Sequence, residues 1–177
     1  MIFARLLYYF YGYEAVNLIF KVSPSRVIVQ ILRQFGATIG VGVRIQAPFI
    51  IHNADQTKPI YQNLKIGNKC YIGRDCIIDL MGKVQIGARS TLSHRILLNT
   101  HTDTGNSPLN KRRLKTTIGN IKIGGGAYIG SNVTVLENVA IGEKTIIGAF
   151  SLVNKSIPPE CKAFGIPCKI QKKLNND

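Results

Sequence analysis

Three side chains in this sequence are suited to moving a proton near neutral pH: His52, His94 and His101. Imidazole is the side chain whose ordinary pKa lies there, and it is also a common zinc ligand. Four cysteines, at 70, 76, 161 and 168, add potential thiolate ligands. A structural zinc site wants four ligands converging at short, regular spacings. No Cys-x-x-Cys occurs, and His94 and His101 lie seven positions apart, so no metal is expected. The cysteines then read as reduced, small core residues, which suits the cytoplasm. His101 lies in "LLNTHTD", where a regular apolar pattern gives way to the polar stretch 100–120. His94 precedes "RILL" and reads as a surface residue, while His52 lies in a polar insertion at 52–63 and carries no signal of its own.

The elements that must position these groups are announced by a period of six. Aliphatic residues recur at Ile123, Ile129, Val135, Ile141, Ile147 and Val153, and Gly follows four of them. Ile39 and Ile45 begin an earlier run; Ile66, Ile72 and Ile78 make a second, and Ile86, Leu92 and Leu98 a third. The fourth residue after each is small or medium-sized: Cys70, Cys76, Ser90, Ala127, Val133, Val139, Thr145, Ser151. A helix wants a spacing of 3.6 and a half-buried strand a spacing of 2. Six suits a solenoid in which each hexad makes one short strand and one corner. Three hexads close a coil, and stacked coils bury the aliphatic column and pair their strands. Gly beside the corner relieves either a bulky Cβ or an unfavourable φ. Cys70 and Cys76 hold equivalent places in successive hexads and are expected to stack.

This pattern resembles the hexapeptide-repeat acyltransferases. The resemblance implies an all-β fold, a left-handed parallel β-helix of about six coils; the general crossover rule gives the opposite hand. "IKIGGGAYIGSNVTVLENVAIGEKTIIGAFSLVNKSIPPECKAFGIPCKIQKK" is similar to the acetyltransferase branch acting on galactosides, maltose and colanic-acid-type sugars. The resemblance makes His101 the general base, taking the proton of a sugar hydroxyl as it attacks the acetyl-CoA thioester. Asn99 and Asp103 are expected beside the acceptor, and Asp103 or a backbone carbonyl is expected to orient the ring. The resemblance puts Tyr128 (where the family has Trp), Ser131, Ala149, Asn154, Lys155, Lys169 and Lys172 along acetyl-CoA. Phe150 stands where the family has Gly, and lysines stand where it has Arg; Lys meets phosphate as a point charge, without the bidentate fork. A homotrimer with active sites between subunits is implied, with capsule, exopolysaccharide or lipopolysaccharide sugars as substrates. N-acetylation of a nucleotide- or lipid-linked amino sugar uses the same fold, base and co-substrate. A γ-class carbonic anhydrase shares the fold but needs three zinc-binding histidines, which this spacing does not encourage.

Charge sharpens the expected partners. Lys and Arg total 23 against 9 Asp and Glu, a net +14, which favours phosphorylated or otherwise anionic partners. Nucleic acid is disfavoured, because the basic residues are single and no aromatic platforms lie between them. Residues 1–38 read as helical, with "SPSR" at 23–26 starting a second helix. Ile2, Leu6, Phe10, Tyr13 and Phe20 fall along one helical face, expected to pack on the prism or a neighbouring subunit. The alternative is an interfacial helix at the inner membrane surface, aided by Arg5, Lys21, Arg26 and Arg33. Arg5, Gly12 and Glu14 interrupt it too often for a membrane span. The coils are expected over 39–158, with an extruded loop at 100–120, and the prolines at 158 and 159 are expected to end the stacking. A cap and basic tail follow at 159–177.

Overall fold

The computed structural model describes residues 2–54, 59–108 and 114–174. Parts of the insertion at 52–63, of the loop at 100–120 and of the basic tail lie outside the described residues. The hexads build a three-faced prism, a left-handed parallel β-helix. The first face stacks Thr38–Ile39, Leu64–Ile66, Val84–Ile86, Ile121–Ile123 and Ala140–Ile141. The second stacks Arg44–Ile45, Tyr71–Ile72, Thr91–Leu92, Tyr128–Ile129, Ile146–Ile147 and Cys161–Phe164. The third stacks Phe49–His52, Cys76–Asp79, Leu97–Leu98, Thr134–Val135 and Leu152–Val153. The second face is six strands deep and the others five, and Ile157 adds a further rung to the first by bridging Ile141. Ile45, Ile72, Leu92, Ile129, Ile147 and Ala163 form one interior column in strict register, all fully buried. Each such Ile or Leu contributes about 1.5–3 kcal/mol of burial.

The glycines and the corner conformation separate into two jobs. The left-handed φ falls on the third residue after the aliphatic position, at Lys69, Arg89 and Lys144 among others, and not on the glycine. Gly67 is required for clearance: a Cβ there would stand 2.5 Å from the Ala88 backbone nitrogen of the coil above. Corner glycine thus sets how closely coils approach, and hence the ladder hydrogen bonds between them. Cys70 and Cys76 do not stack on each other, because successive hexads lie on different faces. Each Sγ instead meets a carbonyl of the next coil, Cys70 that of Gly87 at 3.0 Å and Cys76 that of Ser93 at 3.3 Å. All four cysteines are free and buried.

The first coil would leave three raw strand edges, and the helices close all of them. Helix α1 (Ile2–Phe20) and helix α2 (Ser25–Gln34) lie across that end. Arg33 donates to the Ile39 carbonyl at 2.8 Å, on the first face. The Ser25 hydroxyl accepts from Ile45 N–H at 2.8 Å, on the second. Asn17 accepts from Ile51 N–H at 3.0 Å and donates to its carbonyl at 2.7 Å, on the third. A covered edge cannot recruit another chain's strand. The single apolar face expected of α1 does not exist, because Gly12 (φ 71°, ψ −168°) breaks the helix. Phe20 is buried beyond the break, whereas Ile2, Leu6 and Phe10 before it are exposed.

The prolines do not end the stacking. Cys161–Phe164 lies parallel on Ile146–Ile147, and Lys169–Lys173 turns back antiparallel beside it. Pro158 and Pro159 occupy a corner, where the Pro158 carbonyl accepts the Thr145 hydroxyl at 2.9 Å. A corner asks for no ladder N–H, so proline is tolerated there. The polar stretch after the third coil leaves the prism through an antiparallel pair, His101–Thr102 against Thr117–Ile118. That pair holds His101 at the rim of the third face.

Candidate active site

His101 is built by the coil below it. Asp79 ends its strand in register with His52 and turns its carboxylate into the corner, where only 1% of the side chain is exposed. Its Oδ2 accepts from Thr100 N–H at 2.8 Å, from the Thr100 hydroxyl in a short hydrogen bond, and from His101 Nδ1 at 2.8 Å. Its Oδ1 accepts from Asn53 at 2.7 Å. Burial alone would raise this carboxyl's pKa, but the hydrogen bonds from Thr100, His101 and Asn53 outweigh it and hold the pKa below the ordinary value. An ionised Asp79 only accepts, so Nδ1 of His101 carries the proton and Nε2 keeps its lone pair. His101 is 18% exposed, enough to meet a substrate. An imidazole held in this way can act as a general base.

Asp79, not Asp103 or a backbone carbonyl, therefore meets the ring nitrogen. Asp103 is exposed and accepts from Gly105 N–H at 2.8 Å and the Thr116 hydroxyl at 3.1 Å, which shapes the loop base. The Gly105 N–H leads the groups that lower its pKa. Asn99 donates to the His101 carbonyl at 2.7 Å and so fixes the backbone that carries the ring. Two further residues at this corner carried no sequence signal. The His52 ring lies 6.4 Å from that of His101. Glu137, one coil above, accepts the hydroxyls of Thr102 at 3.1 Å and Thr117 at 2.9 Å on Oε1, while its buried Oε2 has no partner among the described residues. Burial opposes ionisation of Glu137, but its own backbone N–H, the two threonines and His101 lower its pKa on balance. The spacing signal that could have found Asp79 is the 18-residue coil, lengthened here by the bulge near Gly82, which hides the alignment of Asp79 with His101.

The other expected residues divide between two edges of the third face. Ser131 and Ala149 stack at the edge away from His101, with Ser131 Oγ 2.7 Å from Ser93 Oγ. His94 lies at that edge too, accepting from Arg74 N–H at 3.2 Å. The three histidines therefore do not meet at one centre. Tyr128 stands exposed on the second face. Lys169 and Lys172, paired with Phe164 and Lys162, lie on the strand that closes this face. Asn154 and Lys155 follow Leu152–Val153 and so share His101's edge. Within one chain, His101 is not brought together with Ser131, Ala149, Tyr128, Lys169 and Lys172.

A prism of hexapeptide coils with a carboxylate-oriented histidine at one rim defines the class. Residues 120–155 match the family model of the bacterial transferase hexapeptide, six repeats. The chain carries hexapeptide repeats and is similar to galactoside O-acetyltransferases. That of Lactococcus lactis is 27% identical over 168 residues, 92% of this chain and 78% of its own length. A Staphylococcus aureus protein named for acetyltransferase activity is 36% identical over 118 residues, 65% of this chain. The match spans 57% of that relative's length. The crystal structure of a galactoside acetyltransferase in complex with coenzyme A superposes with a TM-score of 0.77 at 26% identity, covering 92% of this chain and 78% of the other.

Proposed function

We propose that the protein is an acetyl-CoA-dependent O-acetyltransferase acting on a sugar hydroxyl, in capsule, exopolysaccharide or lipopolysaccharide synthesis. The observation that carries this reading is the buried Asp79 holding Nδ1 of His101 at 2.8 Å on a hexapeptide coil. The relatives' names and the coenzyme A bound by a related fold support it. Acetyl-CoA supplies the activated acyl group. His101 Nε2 takes the acceptor's hydroxyl proton as the oxygen attacks, and Asp79 stabilises the imidazolium that forms. The same imidazolium then returns the proton to the leaving thiolate, so the base is restored.

The cofactor groove we propose is lined by the small corner residues Ser131 and Ala149, beside Tyr128. Exposed Lys169 and Lys172 suit phosphate, as do Asn154 and Lys155 at the other edge. Because these groups and His101 lie on different edges of one prism, the working site is assigned to the contact between copies in a homotrimer. A cytoplasmic location fits the four free thiols.

Incubating the protein with acetyl-CoA and a panel of sugars, with mass detection of an acetyl gain, tests the proposal. Absence of acetylation on every sugar and sugar nucleotide would remove it. The unpartnered Oε2 of Glu137 favours a second reading, N-acetylation of an amino sugar, since an ammonium group would pair with it. Hydroxylamine sensitivity of the product, present for an ester and absent for an amide, separates the two.

A further inference from the structure

The first half of α1 is apolar nearly all round yet lies on the surface. Ala4 and Tyr8 face the body, with the Tyr8 ring edge-on to Phe35 at 5.4 Å. Ile2, Phe3, Leu6, Tyr9, Phe10 and Tyr11 face outward, Tyr9 with 80% and Phe10 with 69% of their surface exposed. A helix of this composition ordinarily has both sides covered. The break at Gly12 frees this half from the anchoring second half, whose Asn17 is tied to Ile51. Its charge is one-sided. From residue 2 to 36 the chain carries Arg5, Lys21, Arg26 and Arg33, all exposed, against Glu14 alone.

We infer that this half-helix is a docking surface for an anionic lipid bilayer. No described helix is long and apolar enough to cross a membrane, so the segment lies on the surface. Phenylalanine and leucine enter the acyl boundary, while tyrosines suit the headgroup level, where one end of the ring is wet. The basic residues answer the negative charge of the leaflet. A second copy of this chain is the weaker occupant, because it would bring the same four cations against themselves. The inference is independent of acyl transfer: the surface contains neither Asp79 nor His101 nor any residue assigned to acetyl-CoA.

The chain has no tryptophan, so Phe10→Trp in the full chain places a single indole on this face. Vesicles of phosphatidylcholine, with and without phosphatidylglycerol, are the probe. The expected result is a blue-shifted indole emission and co-flotation with the phosphatidylglycerol vesicles, weakened by salt. Phe3→Ser or Phe10→Ser should each reduce partitioning about tenfold or more, and Arg5→Gln about fivefold. No shift with either vesicle overturns the inference. Equal binding to both vesicles overturns the anionic assignment. An indole already blue-shifted in buffer, with Phe10→Ser reducing the sedimenting mass, shows a second copy on this face and overturns it as well.

Discussion

Replacing Asp79 by Asn tests the site at its foundation while changing almost no volume. The carboxylate accepts from five groups, namely Asn53, Met81 N–H, Thr100 N–H, the Thr100 hydroxyl and His101 Nδ1. An amide has one oxygen for them. With its NH2 toward Asn53 and Met81, it faces the Met81 N–H, a donor that cannot turn away. With its NH2 toward His101, the ring must turn its lone pair to Nδ1, which places the proton on Nε2, and the base is spent before the substrate arrives. Hydrogen bonds to a charged group are worth about 1.5–3 kcal/mol, and a buried orphan donor costs about 1–3 kcal/mol. The expected loss of stability is therefore about 3 kcal/mol. The expected fall in kcat is about 10²–10⁴-fold, the range of general-base assistance. Because Asp79's pKa is lowered in the fold, its stabilising contribution is present above the ordinary carboxylate range and is lost as the pH falls through the folded value. That acid-side loss should be missing from the variant's melting curves. Initial rates at saturating acetyl-CoA, with thermal melts to set a temperature at which both proteins are folded, decide the matter. A folded Asp79→Asn protein with the parent's kcat would refute the tautomer argument.

His101→Ala should lower kcat by about 10²–10⁴-fold with acetyl-CoA affinity nearly unchanged by calorimetry; adding Asp79→Asn to it should cost little further activity, since the two act as one unit. Substituting Ala at Lys155, Lys169 and Lys172 together should raise KM for acetyl-CoA in a salt-sensitive way and leave the acceptor KM in place; unaltered binding at low salt would show a solvated tail. Gly67→Ala should destabilise by about 1–3 kcal/mol in denaturant titration, because its Cβ meets backbone rather than a movable side chain. A neutral result there would return the corner glycines to a purely conformational role.

The prism was legible in the sequence because its core repeats a single spacing. Every aliphatic residue at the sixfold position from Ile123 to Val153 is buried, and the second helix starts within "SPSR". His101 is proposed from its place between a coil and a loop and from the family resemblance, and the structure adds its bond to Asp79. Asp79 was not legible: it falls one past Ile78 in an unremarkable "IIDLMG", and its partner is 22 residues away. Glu137 was hidden for the same reason, its threonines lying 35 and 20 residues off. A solenoid brings together residues about one coil apart, and any inserted loop changes that offset. The helices were misread differently. Spacing alone aligned Ile2 with Phe20, but one glycine at positive φ resets the face on either side of it.

The distribution of acid in this chain supports the assignment of the base. Only nine acidic residues offset 23 basic ones, yet three of the nine lie around His101. Asp79 bonds it directly, Glu137 accepts the hydroxyl of the adjacent Thr102, and Asp103 follows two residues after His101. A basic protein has no general reason to gather carboxylates at one rim; mere solubility would scatter them. What such a cluster does is favour a positive charge appearing in its midst. The imidazolium formed when Nε2 accepts a proton is such a charge. The surplus lysines and arginines elsewhere do the opposite work, drawing anionic substrates toward the prism from a distance. The two signs are thus sorted by task, and the sorting predicts which edge carries chemistry and which surfaces only bind.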